Sequence, residues 1–194
     1  MTSEKQNIQG EYYFRQTEMA AGFKFTEDGQ FQFFFTYGAV DRSAAGTFSV
    51  EGNMVKLKSD KEPGRDFTVN REFRQGEGYH LAFTNANSMM VENIRCFVLV
   101  GEKREEAVTD SQGRIQLDIP HCDSIYAQHL LFPDIVTLVK SPENLNNHFE
   151  LSLNPSLEQV SFKGIDFTIE EDGSLSCLPN YFMLMPGIRF LAAG

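Results

Sequence analysis

Two short segments of the chain carry side chains that could do chemistry. In Tyr37-Gly38-Ala39-Val40-Asp41-Arg42 a phenol, a carboxylate and a guanidinium follow an aromatic run. A loop there would offer a ligand a stacking ring, an acceptor and a forked donor. The ordinary alternative is that Asp41 pairs with Arg42 or with backbone while Tyr37 packs at a rim. The second segment, His121-Cys122-Asp123, is the one place where a base, a nucleophile and a carboxylate adjoin. Neighbours in an extended chain point to opposite faces, so adjacency does not bring a catalytic pair together in space. Neither a Gly-x-Ser-x-Gly elbow nor a papain-like cysteine context is present.

No catalytic residue is therefore assigned, and Tyr37, Asp41 and Arg42 stand as candidate ligand-binding residues. His80, His129 and His148 are scattered singly. Cys96, Cys122 and Cys177 form no CxxC pair, so neither a structural metal nor a disulfide framework is expected, though one pair plus a free thiol stays open. P-loop, GxGxxG, EF-hand and HExxH patterns are missing from the sequence, and no cofactor is expected.

The elements that must position these groups read as strands. Residues 22–57 hold short aromatic runs cut by Asp28-Gly29, Gly38 and Gly52-Asn53, the pattern of an antiparallel meander closed by residues that accept positive φ. Strands are predicted at 11–15, 20–25, 30–37, 46–50, 54–58, around Phe67 to Phe73, and at 79–84. Phe31, Phe33 and Phe35 share one face of the third, and Gln32, Phe34 and Thr36 the other. Residues 38–45 read as a break, which would place Asp41 and Arg42 in a loop.

Small polar residues at Asn85-Ala86-Asn87-Ser88 suggest a boundary. The sequence thus predicts an all-β protein of two small antiparallel modules, 1–88 as a meander barrel or sandwich and 89–194 as a second β domain. Within the latter, strands fit 94–100, 114–119, 124–131, 134–139, 148–153, 160–163, 165–169, 175–178 and 188–191. The 18 Phe and no Trp, mostly in alternating contexts, are read as sheet-packed core.

The net charge of −10 is uneven, with 10 basic against 12 acidic residues up to position 88 and 7 against 15 beyond it. An acidic surface with no Lys/Arg cluster repels phosphate backbones, so nucleic acid is not expected as a partner. No apolar run is long enough to span a membrane, and residues 1–14 lack the apolar core of a signal peptide. A mature exported protein, periplasmic after trimming, would look the same. Association of copies through sheet edges or a Phe-rich face stays open.

From Cys96 to Leu153, a hydrophobic strand, a short polar link, the turn Val108-Thr109-Asp110-Ser111-Gln112-Gly113-Arg114-Ile115 and then Leu117-Asp118-Ile119-Pro120 resemble the carboxypeptidase-regulatory-like or transthyretin-like β-sandwich. That resemblance implies a non-catalytic module appended to secreted or periplasmic proteins. Gly10-Glu11-Tyr12, Ala21-Gly22-Phe23, Asp28-Gly29-Gln30-Phe31, Tyr37-Gly38-Ala39-Val40-Asp41 and Gly46-Thr47-Phe48 resemble a group of bacterial proteins that share a YGAxD segment, and are loosely lipocalin-like. A full lipocalin-type barrel needs more chain than residues 1–88 offer. The expectation is a non-catalytic module that binds a ligand or a protein partner. The alternative is an enzyme whose pocket is lined by Tyr37, Asp41, Arg42 or His121.

Overall fold

The structure, a computed structural model, describes residues 8–194; the part of the leader reading that rests on residues 1–7 lies outside them. The chain is all-β, with two 3-10 turns as its only helical elements among the described residues. It divides into two compact units, one made of the chain up to Lys61 together with Glu158–Gly194, the other of Glu62–Leu157.

The first unit is a closed barrel. Its strands are β1 (Gly10–Gln16), β2 (Met19–Phe25), β3 (Gln30–Tyr37), β4 (Val40–Glu51) and β5 (Met54–Ser59), followed after the second unit by β14 (Asp166–Ile169), β15 (Leu175–Cys177) and β16 (Ile188–Ala192). Each pairs antiparallel with the next barrel strand in chain order, and β16 returns to β1 through Tyr12↔Ala192 and Tyr13↔Leu191. Residues 166–192 thus supply the last three strands that close the barrel. Closure removes every sheet edge in this unit.

An eight-stranded barrel is just wide enough for side chains to fill it, and here they are rings. Tyr12, Phe14, Phe23, Phe25, Phe31, Phe33, Phe35, Phe167 and Phe190 all lie in its core. Phe162 joins them from the non-strand segment before β14, its ring centroid 5.0 Å from that of Phe33 and 5.5 Å from that of Phe23. The predicted strand at 160–163 is therefore a plug.

The second unit holds two four-stranded sheets. One orders β10 (Arg114–Leu117), β7 (Tyr79–Thr84), β13 (His148–Leu153) and β6 (Phe67–Phe73); the other orders β12 (Phe132–Lys140), β11 (Ser124–His129), β8 (Ile94–Val100) and β9 (Lys103–Val108). Pairings are antiparallel except β7 with β13. Alternating burial, as at Leu81 and Phe83 or Cys96 and Val98, gives each sheet one apolar face.

These boundaries correct the expected division at residue 88. Strands β6 and β7 belong with the following chain, and β14–β16 belong with the beginning. Asn85–Ser88 is a tight local turn, in which Asn87 Oδ1 accepts the Met89 N–H at 3.1 Å and caps the 3-10 segment Ser88–Val91.

Candidate functional site

The break expected at 38–45 is a two-residue turn. Gly38, at φ 57°, and Ala39 join β3 directly to β4, with Tyr37↔Val40, Thr36↔Asp41 and Phe35↔Arg42 in register. Strand alternation then separates the three candidates. Asp41 faces outward, Arg42 shares the inward face of Phe35, and Tyr37 is exposed at the turn. Arg42 is 4% exposed, donates from Nη2 to the Gln159 carbonyl at 2.9 Å and lies 5.4 Å from the Tyr181 ring centre. The predicted ligand loop is not assembled.

His121-Cys122-Asp123 is split in the same way. His121 and Asp123 meet at 3.1 Å on the surface, while Cys122 is fully buried. Gly101 N–H donates to Asp123 Oδ2 at 2.6 Å and, with His121 beside it, holds that carboxyl below the usual carboxylate range. Burial pushes the Cys122 thiol up, away from thiolate. The chain behind it is clamped by Lys140, 2% exposed, whose ammonium donates to the carbonyls of Cys122 (2.9 Å), Asp123 (3.2 Å) and Ser141 (3.2 Å). Cys96 and Cys177 are free as well, and burial pushes both thiols up to about 12. Among the described residues no three His, Cys, Asp or Glu gather to hold a metal ion, and no helix is long and apolar enough to cross a membrane.

Two outer sheet faces carry aromatic rows instead. On β6, β13, β7 and β10 the row is Phe73–His148–His80–Gln116, in register. The rings stack, Phe73 to His148 at 4.8 Å and His148 to His80 at 4.4 Å, so they cover one another's faces. Asn147, itself buried, sits beside His148 Nδ1 at 3.0 Å and donates through Nδ2 to the Gly78 carbonyl at 2.7 Å. A depression of about 440 Å³ runs past this row to Arg114 and Glu150.

On the barrel wall the row is Tyr13–Gly22–Phe34, across β1, β2 and β3. Here the rings lean over. A Cβ at position 22 would lie 2.5 Å from Phe34 Cε1 and 2.9 Å from Tyr13 Cδ1, so the missing side chain is what lets both rings close over the backbone. A trough of about 260 Å³ follows them. Sequence reasoning placed Phe34 on the face of its strand opposite Phe31, Phe33 and Phe35, without linking it to Gly22 or Tyr13. The signal was available, since 13, 22 and 34 become cross-strand neighbours once the turns fix the register.

No family model, curated protein or solved structure matches the chain. What the fold and its surfaces define is a closed antiparallel barrel interrupted by a two-sheet unit, with its aromatic rows on outer faces.

Proposed function

We propose that this protein is a non-catalytic binding module that takes its ligand on the outer wall of the barrel. The observation that carries this is the leaning pair Tyr13 and Phe34 over Gly22, with Phe34 41% exposed in a wall whose other large rings are mostly committed to the core. A half-exposed ring face costs free energy to keep in water, and it becomes favourable when a ligand covers it. The barrel interior offers no such room, because Phe162 and its neighbours fill it. The groups best suited to acid–base or nucleophilic chemistry are engaged elsewhere, Cys122 in burial and Asp123 in fixing the Gly101 turn. The resemblance of residues 96–153 to transthyretin-like modules supports the same non-catalytic role.

Ligand-observed NMR with a small-molecule library tests the proposal. Binders whose signals are lost on Phe34→Ala, with the fold intact, are the expected result. Binders that ignore Phe34→Ala, or a substrate that is turned over, would remove it.

A further inference from the structure

The row beside the leaning rings is polar. Glu11, Lys24 and Gln32 stand in register on the same three strands, two residues along from Tyr13, Gly22 and Phe34, and line the same trough. Beyond them on β4 the outward residues are Ser43 and Ala45, opposite Phe34 and Gln32, so the far wall is low and the trough is open at that end. An exposed carboxylate, an ammonium and a carboxamide thus lie next to two tilted rings whose centroids are 6.4 Å apart. Tyr13 adds a polar tip, its hydroxyl donating to Glu11 Oε2 at 2.6 Å, and the Arg15 guanidinium lies 5.8 Å from its ring centre.

Resting on the proposed binding role, we infer that the ligand of this trough is a saccharide. A pyranose has one face made of C–H bonds and an equator of hydroxyls, each both donor and acceptor. The C–H face covers an exposed aromatic ring. The hydroxyls can donate to Glu11, accept from Lys24, and do both with Gln32. A purely apolar ligand would strip water from these three polar groups and offer them no hydrogen bond in return, which is unfavourable. A nucleic acid would meet a chain of net charge −10 with a single lysine in the trough. The open end suits an internal stretch of a glycan chain as well as a terminal sugar.

The test uses the full chain. Isothermal titration with cello-, malto-, xylo-, manno- and chitohexaose and with a hexameric uronate gives at least one binder. Phe34→Ala and Phe34→Leu each weaken that binder about tenfold, the loss of one stacking face. The leucine variant keeps apolar bulk and guards against a folding artefact, and Phe73→Ala on the other unit leaves binding unchanged. If no probe binds to the folded protein at millimolar concentration, or if binding survives both Phe34 variants, the saccharide assignment fails. Library binders that are not sugars and are lost on Phe34→Ala would overturn the assignment while leaving the binding role in place. Release of shorter sugars, abolished by Phe34→Ala, would keep the saccharide site and overturn the non-catalytic role.

Discussion

In the barrel, Phe23 lies within 6.2 Å, centroid to centroid, of Phe25, Phe31, Phe33, Phe162, Phe167 and Phe190. In the two-sheet unit Phe67 and Phe83 meet as a pair at 5.6 Å, Tyr79, Phe132 and Phe149 are buried as well, and the remaining core is largely Leu, Ile and Val. That unit also carries the buried polar anchors Asn147, Lys140 and His129, where the barrel unit has Arg42 and Lys61, both donating to the Gln159 carbonyl. All four histidines of the chain fall within residues 62–157. A tube closed on itself can be filled by rings that need no hydrogen bonds. Sheets with open edges and long connections must satisfy the backbone groups of their turns, and side-chain anchors do it.

The sharpest way to break this contrast is to remove its central ring. Phe23→Ala deletes the six ring contacts at once from a closed interior that has little freedom to collapse, and is expected to cost about 4 kcal/mol. Urea unfolding measures it. A loss near 1 kcal/mol would mean that the barrel repacks as a fluid core does, and the account of a ring-filled tube would be wrong.

Next in size is an anchor of the other unit. Asn147 receives the Gln75 N–H at 2.9 Å and donates to the carbonyls of Gln75 (3.1 Å) and Gly78 (2.7 Å), tying down the turn between β6 and β7. Asn147→Ala leaves those backbone groups without their partner and is expected to cost about 2 kcal/mol. Hydrogen exchange should rise at Gln75 in particular. Exchange rising equally in the barrel would show that the two units do not respond separately.

These two substitutions also mark what the sequence made legible. Phe23 belongs to the strand predicted at 20–25, and seven of the eight strands predicted from residue 11 to 84 and from 94 to 100 fall where expected. Asn147 gave no signal, because its role depends on a turn seventy residues upstream. The domain boundary was misplaced for a related reason. Strands β14 and β15 are three or four residues long, and nothing local says whether they continue the preceding sheets or close a distant barrel. The exit from the barrel lies instead in the polar stretch Ser59–Arg65, between Lys61 and Glu62. The short polar link after the strand at 94–100 is itself strand β9, whose charged Lys103-Arg104-Glu105-Glu106 is how an exposed edge strand is protected. The ligand loop failed because the strand expected from residue 46 already begins at Val40, so Asp41 and Arg42 alternate across a strand instead of sharing a loop.

A smaller effect separates the units by pH. His129 is buried, its Nε2 2.9 Å from the Met90 carbonyl and its Nδ1 accepting the Leu131 N–H at 3.1 Å, which fixes the neutral ring with its proton on Nε2. Protonating Nδ1 would remove the Leu131 bond, and burial holds the ring below its ordinary pKa. His148 is lowered too, by desolvation and then by His80. The unfolded chain therefore binds these protons first. The stabilisation is complete above about pH 6.5 and is lost as pH falls through that value toward the lowered folded ones, by about 1 kcal/mol for the Leu131 bond. In the barrel, by contrast, Asp172 is held low by Ser174 and Arg189, so its contribution persists until the carboxylate range. Unfolding followed at pH 7.5 and 5.5 by NMR should weaken the two-sheet unit first, and His129→Gln should remove much of that step. Equal loss in both units would contradict the contrast.

The smallest expected stability change lies on the barrel wall, and it is informative because it is small. A methyl at Gly22 would meet the rings of Phe34 and Tyr13, both outside the core and free to swing toward solvent. Position 22 is also not among the glycines with positive φ, so alanine fits its backbone and lowers the entropy of the unfolded chain. Gly22→Ala should thus change stability by less than about 0.5 kcal/mol. It should nonetheless displace both rings and weaken whichever hexasaccharide binds. A stability loss of several kcal/mol would mean that Tyr13 and Phe34 are part of the barrel's packing, like Phe23 within it. Unchanged stability with unchanged binding would mean that the leaning of the rings has no part in recognition. Only the separation of the two effects fits a wall whose inner rings hold the fold and whose outer rings are kept for a ligand.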